Sequence, residues 1–180
     1  MADHAAFLRG INVGGHRVSN ADLGSEFEQM GFGDVAVFRA SGNVVFDAGG
    51  ESAAAIAPRI EKALEESLGY AVPVYLRSAS EVRAIARHEP FEPEIVDASK
   101  GKLQVVLLSE RPAESVRAKV LELATGADRL AFGARELLWL PSGGILDSDL
   151  DLKAIDRLLG PATIRTKGTI ERIAAKHLGG

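Results

Sequence analysis

The sequence predicts an α+β protein built from two β-α-β-β-α-β halves in tandem. Three observations carry this. Short apolar runs bounded by glycine alternate with longer apolar stripes at helical spacing, in the same order in both halves. Matching positions recur at a nearly fixed separation. Phe38 and Phe132 are 94 residues apart, as are Phe46 and Leu140, and the helix-ending Gly69 and Gly160 are 91 apart. Finally, 180 residues hold one or two small domains and no more.

In the first half, residues 5–8 form an apolar run closed by Gly10 and predict a strand. Ser19 with Asp22 three residues on is a capping-box pair. Leu23, Phe27 and Met30 follow at helical spacing, and Gly31 ends the helix. Strands are expected over 35–39 and 43–47, joined by Ala40-Ser41-Gly42. Gly42 falls where a three-residue hairpin loop needs a left-handed residue. Ile56, Ile60, Ala63, Leu64 and Leu68 stripe a helix up to Gly69. Pro58 must sit in its first turn or kink it, having no N–H to donate. Residues 72–76 predict an edge strand, because Pro73 cannot donate to a central ladder. Ser78 with Glu81 caps a short helix through Arg87.

Residues 88–94 hold two prolines and no period. This makes 89–100 the expected linker between a first subdomain at 1–88 and a second at 101–180. A strand over 103–108 follows, then a helix with Pro112 in its first turn, running through Ala124. Residues 130–132 and 137–140 predict a hairpin around Gly133-Ala134-Arg135. Ser148 with Asp151 is expected to cap a helix ended by Gly160. Residues 163–165 predict a strand and 169–177 a last helix. Each half is then the split βαβ, or ferredoxin-like, unit. Its right-handed crossovers place both helices on one face of a four-stranded antiparallel sheet. The same element order also fits one larger mixed α/β domain.

Composition removes whole classes of function. With 46% apolar and 26% charged residues, the chain has enough apolar surface to offset its conformational entropy, which excludes a disordered protein. The absence of cysteine excludes disulfide scaffolds, Cys-bound zinc and thiol catalysis together. No run approaches the ~20 apolar residues of a membrane span. Arg9 breaks the N-terminal apolar run too early for a secretory leader. A cytoplasmic location with no membrane partner is therefore expected. The 21 basic and 25 acidic residues leave a net charge of −4, which argues against a generic polyanion binder but leaves room for a local basic patch.

Metal and catalytic patterns fail quickly. His4, His16, His88 and His177 are scattered without ligand spacing, so no metal is expected. Asp147, Asp149 and Asp151 imitate the start of a calcium loop, but Leu152 stands where Gly is needed and Leu158 where a bidentate Glu is needed. Acids in the first turn of a helix explain them better. There is no nucleophile elbow and no phosphate-binding P-loop, and no cofactor is expected. No side chain has the neighbours of an activated nucleophile or tuned base, which leaves enzyme status open.

Three segments remain. Arg9-Gly10-Ile11-Asn12-Val13-Gly14-Gly15 connects a strand to a helix. Its glycines allow close backbone approach, exposed N–H groups can cradle an anion, and Arg9 and Arg17 supply charge. On pattern alone a plain β–α connection, using glycine for its turn, is the favoured reading. Residues 39–46 sit where RNA-recognition domains carry their strand-three motif. Arg39, Gly42, Val44 and Phe46 agree, but Ser41 and Asn43 stand where the base-stacking aromatics belong. Thr163-Ile164-Arg165-Thr166-Lys167-Gly168-Thr169 places threonines and two cations at a strand-to-helix junction, an anion site or simply a capped helix with surface charge. In the ideal fold the loop over 9–15 and the hairpin at Ser41 to Asn43 are expected at opposite ends of one sheet. They would share a pocket only if the first strand ran through Val13.

The motifs FLRGINVGG (residues 7–15) and SGNVVF (residues 41–46) resemble the bacterial domain-of-unknown-function 1697 family. The likeness continues through Pro90-Phe91, Gly143-Gly144 and Ala162-Thr163-x-Arg165. The resemblance implies two ferredoxin-like subdomains and assigns no activity. The family's late T-x-R-N-W-N-T pattern is kept at Thr163, Arg165 and Thr169, while Thr166, Lys167 and Gly168 replace Asn, Trp and Asn. A family lysine also corresponds to Asp149. If those positions hold a ligand, this chain has lost an aromatic wall, two amides and a cation.

The expected function is binding of a small phosphate- or carboxylate-bearing ligand between the subdomains. Arg9 and the backbone of Gly10, Gly14 and Gly15 would hold the anion, Asn12, Ser41 and Asn43 would orient it, and Arg165 with Thr163 and Thr169 would complete the site. An RNA or single-stranded DNA module is the alternative, favoured by 14 arginines against 7 lysines and disfavoured by the acidic balance. A protein–protein adaptor pairing through a sheet edge is a second alternative.

Overall fold

Every strand and helix below comes from a computed structural model that describes residues 1–39, 41–99 and 102–179. The chain forms two units: Met1–Ala84 with Arg172–Gly180, and Ile85–Glu171. The sequence boundaries at 1–88 and 101–180 follow chain order, whereas the last residues of the chain belong to the first unit.

The first unit runs β1 (His4–Leu8), α1 (Asn20–Gln29), β2 (Gly33–Val37), β3 (Asn43–Asp47), α2 (Ala53–Leu68), β4 (Val74–Ser78) and the start of α3 (Ala79–Arg87). Its sheet has the order β2-β3-β1-β4 with every pair antiparallel. Pro73 lies just before edge strand β4, where no ladder needs its missing N–H. Ala6, Leu8, Val44, Phe46, Val74 and Leu76 present one sheet face to Leu23 and Phe27 of α1 and Ile56, Ile60 and Leu64 of α2. Phe46 lies 5.4 Å from Phe27 and 4.4 Å from Phe32, aromatic pairs worth about 0.5–1.5 kcal/mol each beyond their buried area. Ser19 caps α1, and Ser78 with Glu81 forms the full reciprocal capping box. Asp22 N–H donates to Ser19 Oγ, while Ser78 N–H donates to Glu81 and Glu81 N–H to Ser78 Oγ. Pro58 lies inside α2 beyond its first turn, on an exposed position, and the helix continues past it.

The second unit contains α4 (Pro93–Ala98), β5 (Gln104–Leu108), α5 (Glu114–Leu121), β6 (Arg129–Phe132), β7 (Glu136–Leu140), a 3-10 turn (Ile145–Asp147), α6 (Leu152–Leu159), β8 (Ala162–Thr166) and the start of α7 (Lys167–His177). Its sheet order is β6-β7-β5-β8, again antiparallel throughout. Val106, Leu108, Leu137 and Trp139 meet Val120, Leu150 and Ile155 in its core. The expected linker carries α4, with Pro93 at the helix start where its missing N–H costs nothing. Lys100 and Gly101, at its far end, lie outside the described residues. Pro112 stands before the N-cap Ala113 rather than in the first turn of α5. Asp151, not Ser148, caps α6, accepting from Ala154 N–H at 2.9 Å.

Register matches the two units position by position. His4 sits between Phe46 and Ser78 as Gln104 sits between Trp139 and Thr166. Phe46 therefore corresponds to Trp139, one residue short of the match to Leu140 read from spacing. The strand-and-helix pairs β4–α3 and β8–α7 follow at a constant offset of 88 residues: Arg77 with Arg165, Ser78 with Thr166, Val82 with Ile170 and Ile85 with Ile173. Each arginine donates to the carbonyl of the residue before it, at 2.9 Å. The second face of each sheet is buried too, including Phe7, Val45 and Tyr75 in one and Val105, Leu107 and Leu138 in the other. Strands with two covered faces read as unbroken apolar runs, as β1 and β5 do. Among the described residues no helix is long and apolar enough to cross a membrane.

Candidate functional site

Strand β1 is antiparallel to β3 with Phe7 opposite Asn43, so the end of β1 meets the start of β3. The glycine loop and the β2–β3 hairpin therefore share one end of the first sheet. This corrects the expectation that they lie at opposite ends. Leu8 N–H donates to Gly42 O at 2.8 Å, and Arg9 N–H donates to Pro73 O at 3.0 Å. Gly42 has φ +71°, and a Cβ there would stand 2.9 Å from Ile11 Cγ2 and 3.1 Å from Leu8 Cβ. Only glycine lets the hairpin and the loop close this tightly.

Ile11 ties the loop down. Its side chain is buried, and its carbonyl accepts from Tyr70 Oη at 2.8 Å. Burial raises the Tyr70 hydroxyl above its ordinary pKa, keeping it a donor. The His16 ring stacks on Tyr70 at 3.7 Å between centroids. Asn12 Oδ1 accepts from Val18 N–H at 2.8 Å, which spans the loop from within. Past these anchors, Gly14 and Gly15 are exposed with positive φ and open space around them.

Arg9, Arg17 and Arg39 are exposed. Arg9 extends β1, and Arg39 follows Phe38, whose N–H donates to Asn43 O at 2.8 Å. With strands ~4.8 Å apart and β3 between them, the two backbones are about 10 Å from one another. Among the described residues none of the three arginines makes an ion pair or side-chain hydrogen bond. The Arg39 guanidinium lies 5.7 Å from the Phe38 ring. Arg39 also holds φ +61°, a strained conformation for a residue with a Cβ.

The other predicted residues do different work. Asn43 is 1% exposed, and its Nδ2 donates to Phe38 O at 3.0 Å and Ser41 Oγ at 2.8 Å. It closes the hairpin from inside. In the second unit, Arg165 is half-buried and donates to Thr163 Oγ1 at 2.8 Å. Desolvation lowers its pKa to about 10, which leaves it charged at neutral pH. Thr169 pairs instead with Thr166, hydroxyl to hydroxyl at 2.9 Å, and its N–H donates to Thr166 Oγ1 as the cap of α7. Lys167, read as a cation of the same cluster, is buried. Its Nζ donates to Ala86 O at 2.9 Å and to Glu171 Oε1 at 2.6 Å. Among the described residues no cluster of His, Asp and Glu is placed to hold a metal ion.

One buried acid escaped the sequence reading. Asp128 is 0% exposed and accepts from Trp139 Nε1 at 3.0 Å, Ser148 Oγ at 2.7 Å and Ser142 N–H at 3.2 Å. Desolvation, the largest single influence, pushes its pKa up, but the hydrogen bonds together outweigh it and hold the carboxyl below its ordinary value. Asp128 thereby pins both ends of the segment from Ser142 to Ser148 to β7. Thr125, three residues earlier, also donates to the Asp128 carboxylate, at 3.2 Å, but the contacts that hold the segment are 11, 14 and 20 residues distant and no local pattern announces those.

Fold and site together define an α+β protein with two four-stranded antiparallel sheets and an arginine-flanked glycine loop at one sheet end. The chain belongs to the family described as "Protein of unknown function (DUF1697)", whose model matches residues 1–138. The match contains the glycine loop and the hairpin and stops before residues 162–169. The chain is also similar to the structure of conserved bacterial protein SP0830 from Streptococcus pneumoniae, with a TM-score of 0.71, 22% identity and 97% of each chain covered. A likeness at that identity concerns the fold. No curated protein matches the chain.

Proposed function

We propose that the protein binds a small phosphate- or carboxylate-bearing ligand at the loop end of the first sheet. The observation that carries this is the set of arginines at 9, 17 and 39, exposed and without ion pairs among the described residues, beside a glycine loop, in a chain of net charge −4. Unpaired arginines offer planar, bidentate donors to oxyanions. The open backbone at Gly14 and Gly15 adds N–H donors at no steric cost. Arg9 and Arg39 act as the paired cations, Arg17 as the third. Asn12 and Asn43 hold the frame and do not touch the ligand. The strand order β2-β3-β1-β4 supports reading each unit as ferredoxin-like, with this site at one end of the first sheet. Nucleic-acid binding by base stacking is disfavoured, because Phe7 and Tyr75, the aromatics of the sheet's second face, are both buried.

Calorimetry with inorganic phosphate and citrate tests the reading. Binding should weaken about ten- to a hundredfold in Arg9→Ala and in Arg39→Ala, the loss expected for one charge-assisted hydrogen bond. An affinity unchanged in both variants, or heat reproduced by chloride at equal ionic strength, would overturn it.

A further inference from the structure

In the second unit the end of β5 opens onto a cavity of about 350 Å³. Its place follows from the repeat. Leu108 pairs with Ala162 as Leu8 pairs with Val74, so the cavity occupies the position of the glycine loop in the first unit. There Tyr70, one residue after the cap Gly69, donates to Ile11 O and closes the space. Here the residue after the cap Gly160 is Pro161, which has no hydroxyl to give, and the space stays open.

We propose that this cavity binds a free α-amino acid with an apolar side chain. Leu108, Val116, Leu158 and Leu159 line it, and the last three are only half-buried, so apolar surface is left for a ligand to cover. Glu110 and Arg111 line the same cavity. Both are exposed, and among the described residues neither makes an ion pair or a side-chain hydrogen bond, not even with the other. An adjacent, uncommitted carboxylate and guanidinium over an apolar floor match the three parts of a zwitterion. Arg111 takes the α-carboxylate, Glu110 the α-ammonium, and the leucines the side chain. The volume lies near the lower end of the ~300–1,000 Å³ range of ligand pockets, which suits one small molecule.

The test is calorimetry of the full chain with L-leucine, 4-methylpentanoate, which lacks the ammonium, and L-leucinamide, which lacks the carboxylate. L-leucine should bind at least about tenfold more tightly than either analogue. Arg111→Ala should erase the preference over L-leucinamide, and Glu110→Gln the preference over 4-methylpentanoate. Both residues are exposed, so both variants keep the fold, which circular dichroism checks. Amide chemical shifts should move at residues 108–116 and 158–161. No binding of L-leucine at about 10 mM, equal affinity for L-leucine and 4-methylpentanoate, or shifts confined to other residues would overturn the proposal. The arginines of the first unit take no part, so this outcome is independent of the anion site.

Discussion

Gly42→Ala isolates the contact that joins the glycine loop to the hairpin. Two costs add. A residue with a Cβ at φ +71° loses about 1–2 kcal/mol to left-handed strain. The new methyl would stand 2.9 Å from Ile11 Cγ2 and 3.1 Å from Leu8 Cβ, both buried, and overpacking of this kind costs about 1–3 kcal/mol. The expected total is about 2–5 kcal/mol. Gly14→Ala is the matched control: its φ is +62°, but nothing lies within 4 Å of the added Cβ, so only the first cost applies. Urea unfolding followed by circular dichroism should place Gly42→Ala about 1–3 kcal/mol below Gly14→Ala, at equal m-values. If the two variants are equally stable within about 0.5 kcal/mol, the close packing of Gly42 on Ile11 carries no energy and the reasoning fails.

Removing the Asp128 carboxylate strands the buried Trp139 N–H, so Asp128→Ala should cost about 2–4 kcal/mol and shift the emission of Trp139, the single tryptophan. Because the folded Asp128 pKa is depressed, its contribution is whole above the ordinary value of 3.8 and is lost as pH falls through the lower folded value. Acid titration of stability should therefore be shallower in Asp128→Asn than in the parent. Arg59 grips Glu51 through Nε and Nη2, donates from Nη1 to Met30 O at 2.6 Å, and lies 4.3 Å over the Phe32 ring. Arg59→Lys, unable to fork, should lose about 1–2 kcal/mol in chemical unfolding. The matched caps Ser78 and Thr166 should each lose about 1 kcal/mol as Ser78→Ala and Thr166→Val, measured the same way.

Local chemistry was the legible part. Ser19 with Asp22 and Ser78 with Glu81 announce helix starts because the cap and its partner lie three residues apart in both sequence and space. The glycines at 31, 69 and 160 mark the helix ends because only the left-handed region lies beyond them. What failed was read at longer range or against a competing signal. Pro93 looked like a breaker because two prolines share one segment, yet a proline at the first helical position is a start signal. Ser148 and Asp151 both suit a cap. Ser148 is drawn away by Asp128, twenty residues earlier, and leaves the role to Asp151. The loop and hairpin share one sheet end because β1 pairs antiparallel with β3, a pairing that no local pattern in either segment marks. The pairs Arg77-Ser78 and Arg165-Thr166 mark the repeat in its true register, whereas the spacing of the aromatics is one residue off. The candidate site was half legible. Residue type marked Arg9 and the glycines, whereas Asn43 and Lys167 had the right chemistry and turned out to be engaged inside the fold.

The first unit holds Met1–Ala84 and also Arg172–Gly180, with all of the second unit between them in the chain. On the ribosome, residues 172–179 appear only after the second unit has been made. Until then Arg83 lacks the Leu178 carbonyl that its Nη1 meets at 2.6 Å, and Phe38 lacks the His177 ring at its edge, 6.0 Å away. The first unit, although begun earlier, is complete only once these last residues reach it. The hairpin beside the glycine loop is thus among the last parts of the molecule to gain its full set of neighbours.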